Sequence, residues 1–258
     1  MNVKEIQTKL RSLGNPEHAA TLAWFFKTGP GEYAEGDKFA GLKTPAIRRL
    51  AKEFAALPLE QAERLLHSKI HEERLLTLLI LVAQAKKGGE ETRKRIYDLY
   101  LANTKWVNNW DLVDLTAPQL VGVFLEDKNR RPLYRLAKSK SLWERRIAIV
   151  ATFHFIRQDD FGDTLAIADL LLDDKEDLIH KATGWMLREV GKRDLPALEG
   201  FLRQRCGVMP RTMLRYAIEK FEEKKRIEYL KAPRSSTTAR KRPSPPAPLP
   251  LGEGRDVR

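Results

Sequence analysis

The stretch NNWDLVD, residues 108 to 114, sets two carboxylates beside an indole in a chain that is otherwise strongly basic. Asn109 is a good helix N-cap, so a helix is predicted to start at Trp110. Asp111 then falls in the first turn, where a negative charge suits the positive helix end. Capping therefore accounts for Asp111. Asp114 lies past the first turn, one turn above Trp110, and owes less to capping. A carboxylate held beside an aromatic face is a place to stabilise a developing cation. The same spacing also suits a solvated helix acid and a core tryptophan. Trp106 joins the row if the helix extends that far back.

Two further segments carry candidate groups. In SLWERRIAIVATFHFI the apolar stripe runs through Trp143, Ile147, Val150 and His154, with Arg146 at its edge and Arg145 pointing away. Arg146 can reach a phosphate with two parallel hydrogen bonds or pair with a carboxylate such as Asp114. In LIHKATGWMLREVGK, Leu178, Ala182 and Trp185 share one face, and Gly184 leaves that face open to close approach.

Other patterns are weaker. His67 and His71 stand four apart before Glu72 and Glu73, but zinc wants a third ligand from elsewhere and no HExxH occurs. No metal site is predicted. The chain has no GxGxxG, GxxxxGK[ST] or GxSxG, which removes the usual phosphate-cradle and nucleophile-elbow readings. Cys206, the only cysteine, reads as a buried inert thiol. Asp111 and Asp114 do not suit a glycosidase pair, because neighbours on one helix cannot flank a substrate from two sides.

The elements that position these groups are helices. Apolar residues recur at three- and four-residue spacing in EERLLTLLILVAQAKK, ETRKRIYDLYLA and TLAIADLLLDD, and strand signals are nearly absent. Breaks are predicted at Asn15-Pro16, Thr44-Pro45, Leu57-Pro58, Gly88-Gly89, Asn109, Asp194 and Pro210. About a dozen helices fall into pairs, the rhythm of a helical-hairpin solenoid of degenerate HEAT-like repeats; a compact irregular bundle is the alternative. Residues 27 to 45, KTGPGEYAEGDKFAGLKTP, form one long unpatterned insert, a candidate contact loop.

The formal net charge is +12, of which +4 lies in the tail from Pro233 onward and +8 in the body. Polyanions are therefore the first partners to consider, with nucleic acid ahead of a membrane surface. The sequence divides into a folded domain, 1–231, and a basic Pro-rich tail, 232–258, expected to be disordered. No apolar run approaches the roughly 20 residues of a bilayer span, and the N-terminus lacks signal-peptide features, so a cytoplasmic protein is expected.

At these same residues the chain resembles the AlkD-like DNA alkylation repair glycosylases, an all-helical family of HEAT-like repeats. The resemblance covers roughly residues 15 to 225. It rests on NNWDLVD, matching the family's W-D-x-V-D pattern, on LWERRIAI, and on KATGWMLREVGK. It implies Trp110, Asp114, Arg146 and Trp185 as active-site residues, a concave basic face for DNA, and duplex DNA carrying N3- or N7-alkylated purines as substrate. It also implies cleavage without flipping the base into a pocket, so that bulky adducts are tolerated. Phe25 stands where the best-known members have a DNA-contacting tyrosine, and the loop after Lys27 is an insertion relative to them. Phe25, Lys27 and Lys43 are therefore the candidate DNA contacts at that end.

An N3- or N7-alkylated purine is already cationic and leaves without a general acid, so the enzyme's work is to stabilise the oxocarbenium-like sugar and position a water. Asp114 is expected to do both, Trp110 and Trp185 to offer π faces, and Arg146 to hold a backbone phosphate. No cofactor is needed, and a monomer is expected. The competing readings are a HEAT-repeat module gripping distorted or branched DNA without cutting it, and a protein-binding scaffold.

Overall fold

Several helices begin where the sequence supplies a local start signal. In the computed structural model, which describes residues 2–233, α1 (Val3–Ser12) opens on a reciprocal capping box between Asn2 and Glu5. Asn15 caps α2 (Pro16–Phe25), with proline at its first position. Then come α3 (Thr44–Glu53), α4 (Leu59–Leu66), α5 (His71–Lys87) and α6 (Glu90–Ala102), the last two separated by Gly88 and Gly89. Every predicted break coincides with a helix boundary. The chain continues through α7 (Trp110–Ala117), α8 (Arg131–Ala137), α9 (Leu142–Ala151), α10 (Phe153–Ile156), α11 (Gly162–Leu170), α12 (Asp177–Arg193), α13 (Leu195–Arg205), α14 (Arg211–Ala217) and α15 (Glu223–Lys231). Among the described residues there is no strand, only an isolated bridge between Lys38 and Ile70. The fold is all-helical. The expected tail falls almost wholly outside the described residues.

The packing order is serial. α3 lies on α5, α5 on α7, α7 on α9, α9 on α12 and α12 on α14, while α4, α6, α8, α11 and α13 fill in beside them. Such neighbour-to-neighbour order is what helical-hairpin repeats produce. The core runs through all of them, from Ile6 and Leu10 to Met213, Leu214 and Ile218, each buried.

Three local details depart from the sequence reading. Trp106 does not extend α7: it ends a separate 3₁₀ turn (Thr104–Trp106) and stacks on His67 at 5.1 Å. The stripe through Trp143 and His154 is not one helix, because the chain breaks at Thr152 between α9 and α10. Cys206 is half-buried, not buried. Gly184 does permit close approach, but to α14: a Cβ there would stand 2.4 Å from the Met213 carbonyl oxygen and 2.5 Å from Tyr216 Cβ.

Candidate active site

Asn109 is buried and its side chain accepts the Trp110 N–H, starting α7 at the predicted residue. Asp114, one turn further, meets Arg146 across the α7–α9 contact. Arg146 Nε donates to Asp114 Oδ1 at 2.9 Å and Nη2 donates to Oδ2 at 2.8 Å. The remaining terminal nitrogen, Nη1, donates to the Leu178 carbonyl in the first turn of α12 at 2.5 Å. One guanidinium therefore joins α7, α9 and α12. Of the two roles open to Arg146 from sequence, the structure contains the carboxylate pair. Arg146 is only 5% exposed, so its charge needs that pairing. Arg145, pointing away, binds Asp174 instead.

Asp114 stays accessible on one side, its side chain 18% exposed. A carboxylate has about four acceptor positions, and Arg146 occupies two. Burial raises the Asp114 pKa and Arg146 opposes it; burial prevails, leaving the carboxyl above its ordinary value.

Trp110 lies in an aromatic cluster. Its ring stacks on Phe26 at 5.2 Å and meets the edge of Phe25 at 6.1 Å, while Nε1 donates to the Tyr33 hydroxyl at 3.2 Å. Trp185 stands two turns along α12 from Leu178, on the same face. Its ring neighbours Phe153 at 5.7 Å and its Nε1 donates to Glu189. Asp114 and Arg146 are thus in contact, Trp110 is one turn away, and Trp185 is related to them through the α12 face.

Phe25 is 52% exposed beside Trp110, and the neighbouring Trp24 is 74% exposed. Lys27 adopts a left-handed φ of 58° and lays its ammonium over the Trp24 ring at 5.3 Å. Lys43 is exposed at the N-cap of α3.

Sequence reasoning missed a buried network beneath this cluster. His71 Nε2 bonds Asp111 Oδ2 at 2.8 Å, and its Nδ1 faces Asp37 Oδ2 at 3.6 Å, an ion-pair distance. Arg74, 1% exposed, donates to Asp37 at 2.7 Å. Phe39 stacks on His71 at 4.8 Å. Burial works against a charge on His71, but Asp111 and Asp37 outweigh it and raise its pKa. Burial also pushes Asp37 upward, yet His71 and Arg74 hold it below its ordinary value. Asp111 is thus more than a helix-end acid. His67 Nε2 contacts Asn103 Oδ1 at 2.6 Å, so both histidines of the weak metal pattern have hydrogen-bond partners. The missed signal was the run HEER, whose four consecutive polar residues are all buried at the start of α5.

Fold and site define an all-helical protein of serially packed helices with an arginine-clamped carboxylate among aromatic rings. The model of the DNA alkylation repair enzyme family matches residues 6–221, and the chain belongs to that family. A solved structure of a predicted DNA alkylation repair enzyme from Enterococcus faecalis is similar in fold, with a TM-score of 0.63 and 18% identity over 81% of this chain and 97% of that one. Among curated proteins none matches. Family membership supports a role in DNA repair, with DNA as the partner.

Proposed function

We propose that the protein is a DNA glycosylase that hydrolyses the N-glycosidic bond of N3- and N7-alkylated purines, such as 3-methyladenine and 7-methylguanine, in duplex DNA. The observation that carries this reading is the Asp114 carboxylate, fixed by Arg146 one turn from Trp110 and open on its other side. In the reaction the C1′–N bond breaks heterolytically. The alkylated base takes the electron pair and leaves neutral, and C1′ becomes oxocarbenium-like. Asp114 stabilises that positive charge and accepts a hydrogen bond from the attacking water, whose proton passes to the carboxylate and on to solvent as the C1′–O bond forms and the abasic site results. Preorganisation is the role of Arg146: it fixes the carboxylate before charge develops. Trp110 and Trp185 offer π faces to the cation, each worth about 0.5 to 2 kcal/mol.

The serial helices α5, α7, α9, α12 and α14 would form the inner wall of a HEAT-like superhelix, with duplex DNA against its basic concave face. Phe25, Lys27 and Lys43 would contact DNA at the N-terminal end, with exposed Trp24 beside them. The protein would act as a monomer, and the base would leave without entering a closed pocket.

The test is release of free base from methylated duplex DNA, followed by chromatography for the wild type and Asp114→Asn. The wild type should release 7-methylguanine or 3-methyladenine, and the variant should be slower by about 100-fold or more. Equal rates would remove Asp114 from the mechanism. No release by either, with tight salt-sensitive binding, would make the protein a DNA-structure binder.

A further inference from the structure

The N–H groups of the two candidate indoles meet unlike acceptors. Trp110 donates to a hydroxyl, that of Tyr33. Trp185 Nε1 donates to a carboxylate, that of Glu189 one turn further along α12, at 3.1 Å. The rest of the surroundings hold the same ring. Phe153, the first residue of α10, packs against it at 5.7 Å, and the Arg157 guanidinium lies over the Phe153 ring at 4.3 Å. Beside Trp185 in the chain, Gly184 presses on α14 so closely that the backbone carrying the indole has no room to shift.

Glu189 is itself fixed. Lys192 Nζ bonds its two oxygens at 2.8 and 3.0 Å, and Arg188 Nη2 lies 3.5 Å from Oε1. These cations do not cancel the carboxylate at the ring. The Glu189 side chain is 13% exposed and meets the indole directly, whereas Lys192 is 45% exposed, where water screens its charge. Arg188 gives its Nη1 to Glu219 beyond α14, so its own charge is shared. A hydrogen bond to an anion is charge-assisted and polarises its donor, which pushes electron density from the N–H into the indole ring. Attraction of a cation to a ring face grows with the negative charge of that face.

We infer that Glu189 is a positioning residue: it fixes the Trp185 indole and, through the ring, makes that face discriminate a cationic base from a neutral one. The inference rests on the glycosylase reading above, in which Trp185 offers its π face to the lesion. It concerns the charge of the base and not its size, so it requires no closed pocket.

The experiment uses the full chain and two duplexes that differ in one charge. One carries 7-methylguanine and the other its neutral isostere 7-deaza-7-methylguanine, both on a 2′-fluorinated sugar, which disfavours the oxocarbenium and keeps the lesion intact. Fluorescence anisotropy gives the ratio of the two affinities, in which any general loss of DNA binding cancels. The wild type should favour the cationic duplex by about 10-fold, and Glu189→Gln, which keeps an acceptor for the indole N–H but no charge, by about 3-fold or less. With Trp185→Leu already present, Glu189→Gln should change the ratio no further. A ratio retained in Glu189→Gln would overturn the inference. So would an equal loss with Trp185 replaced, which would assign the effect to the field of the carboxylate alone. The glycosylase reading is judged separately, by base release from 7-methylguanine on an unmodified sugar. Discrimination without release would sink that reading and keep the role of Glu189, and release without discrimination would do the reverse.

Discussion

Arg146 presents its Nε and one terminal nitrogen to a single carboxylate, and this fixes the expected pH behaviour of the reaction. On the proposed mechanism base release requires ionised Asp114, so it should be complete above the raised Asp114 pKa and fall as the pH drops through it. That acid limb should lie above the ordinary aspartate value of 3.8. Arg146→Ala leaves the carboxylate largely buried without its cation, so the limb should move to higher pH. The fold should lose on the order of 3 kcal/mol, the typical consequence of orphaning one member of a buried pair. Rate profiles and melting curves check both, and an unmoved limb would mean that another group titrates. The spacing of Trp110 and Asp114 was legible in the sequence because Asn109 is a local start signal and helix geometry follows from it. The choice of Arg146 between carboxylate and phosphate was not, since its partner lies 32 residues away and depends on how α7 meets α9.

At the scale of elements, α5 is the anchor of the N-terminal region. Buried Glu72 accepts the backbone N–H groups of Ala40, Gly41 and Leu42 at 2.8 to 3.1 Å, and buried Glu73 accepts from Gln7 and Arg11 on α1. The turn at Gly41 requires glycine: φ is 84°, and a Cβ would stand 2.0 Å from the Asn15 carbonyl oxygen. Glu72→Ala would leave three backbone donors without their acceptor, at about 1 to 3 kcal/mol each, and should lower the melting temperature sharply. His71 adds a pH dependence. Its folded pKa is raised above 6.5, so its contribution to stability is complete below 6.5 and is lost as pH rises through the folded value. Melting temperature should fall across that window in the wild type, and His71→Asn should be less stable with a shallower slope. A slope unchanged in the variant would mean that His71 does not titrate there. None of this was legible beforehand. The insert has no periodicity to read, and in the sequence HEER shows only a weak metal pattern, because its partners Asp37, Asp111 and Ala40 to Leu42 are brought to it by the fold. The break at Thr152 escaped for the opposite reason: the apolar spacing continues through it.

At the scale of the whole molecule, the excess of basic residues would make the proposed duplex affinity a matter of counterion release. Each phosphate neutralised contributes a slope of about −0.9 in log K against log salt, so three contacts correspond to roughly a 40-fold loss between 50 and 200 mM salt. Fluorescence anisotropy at several salt concentrations should find at least that steepness; a flat response would point to a protein-docking surface. The helical class and most helix boundaries were legible, because amphipathic spacing and caps are local. The serial stacking was only hinted at, since the helix pairs share a rhythm but not their letters.

The carboxylates at the start of α5 also carry a consequence for how the polypeptide is made. α2 buries no residue fully, and Trp24 and Phe25 remain exposed even in the finished fold. The acceptors that tie down α1 and the following turn are Glu72 and Glu73, which leave the ribosome about 30 to 65 residues later. Until then α1 has only α4 and the end of α3 to dock against. During synthesis the segment of α1 and α2 should remain open to chaperones and proteases, becoming protected as α5 and then Trp110 of α7 emerge.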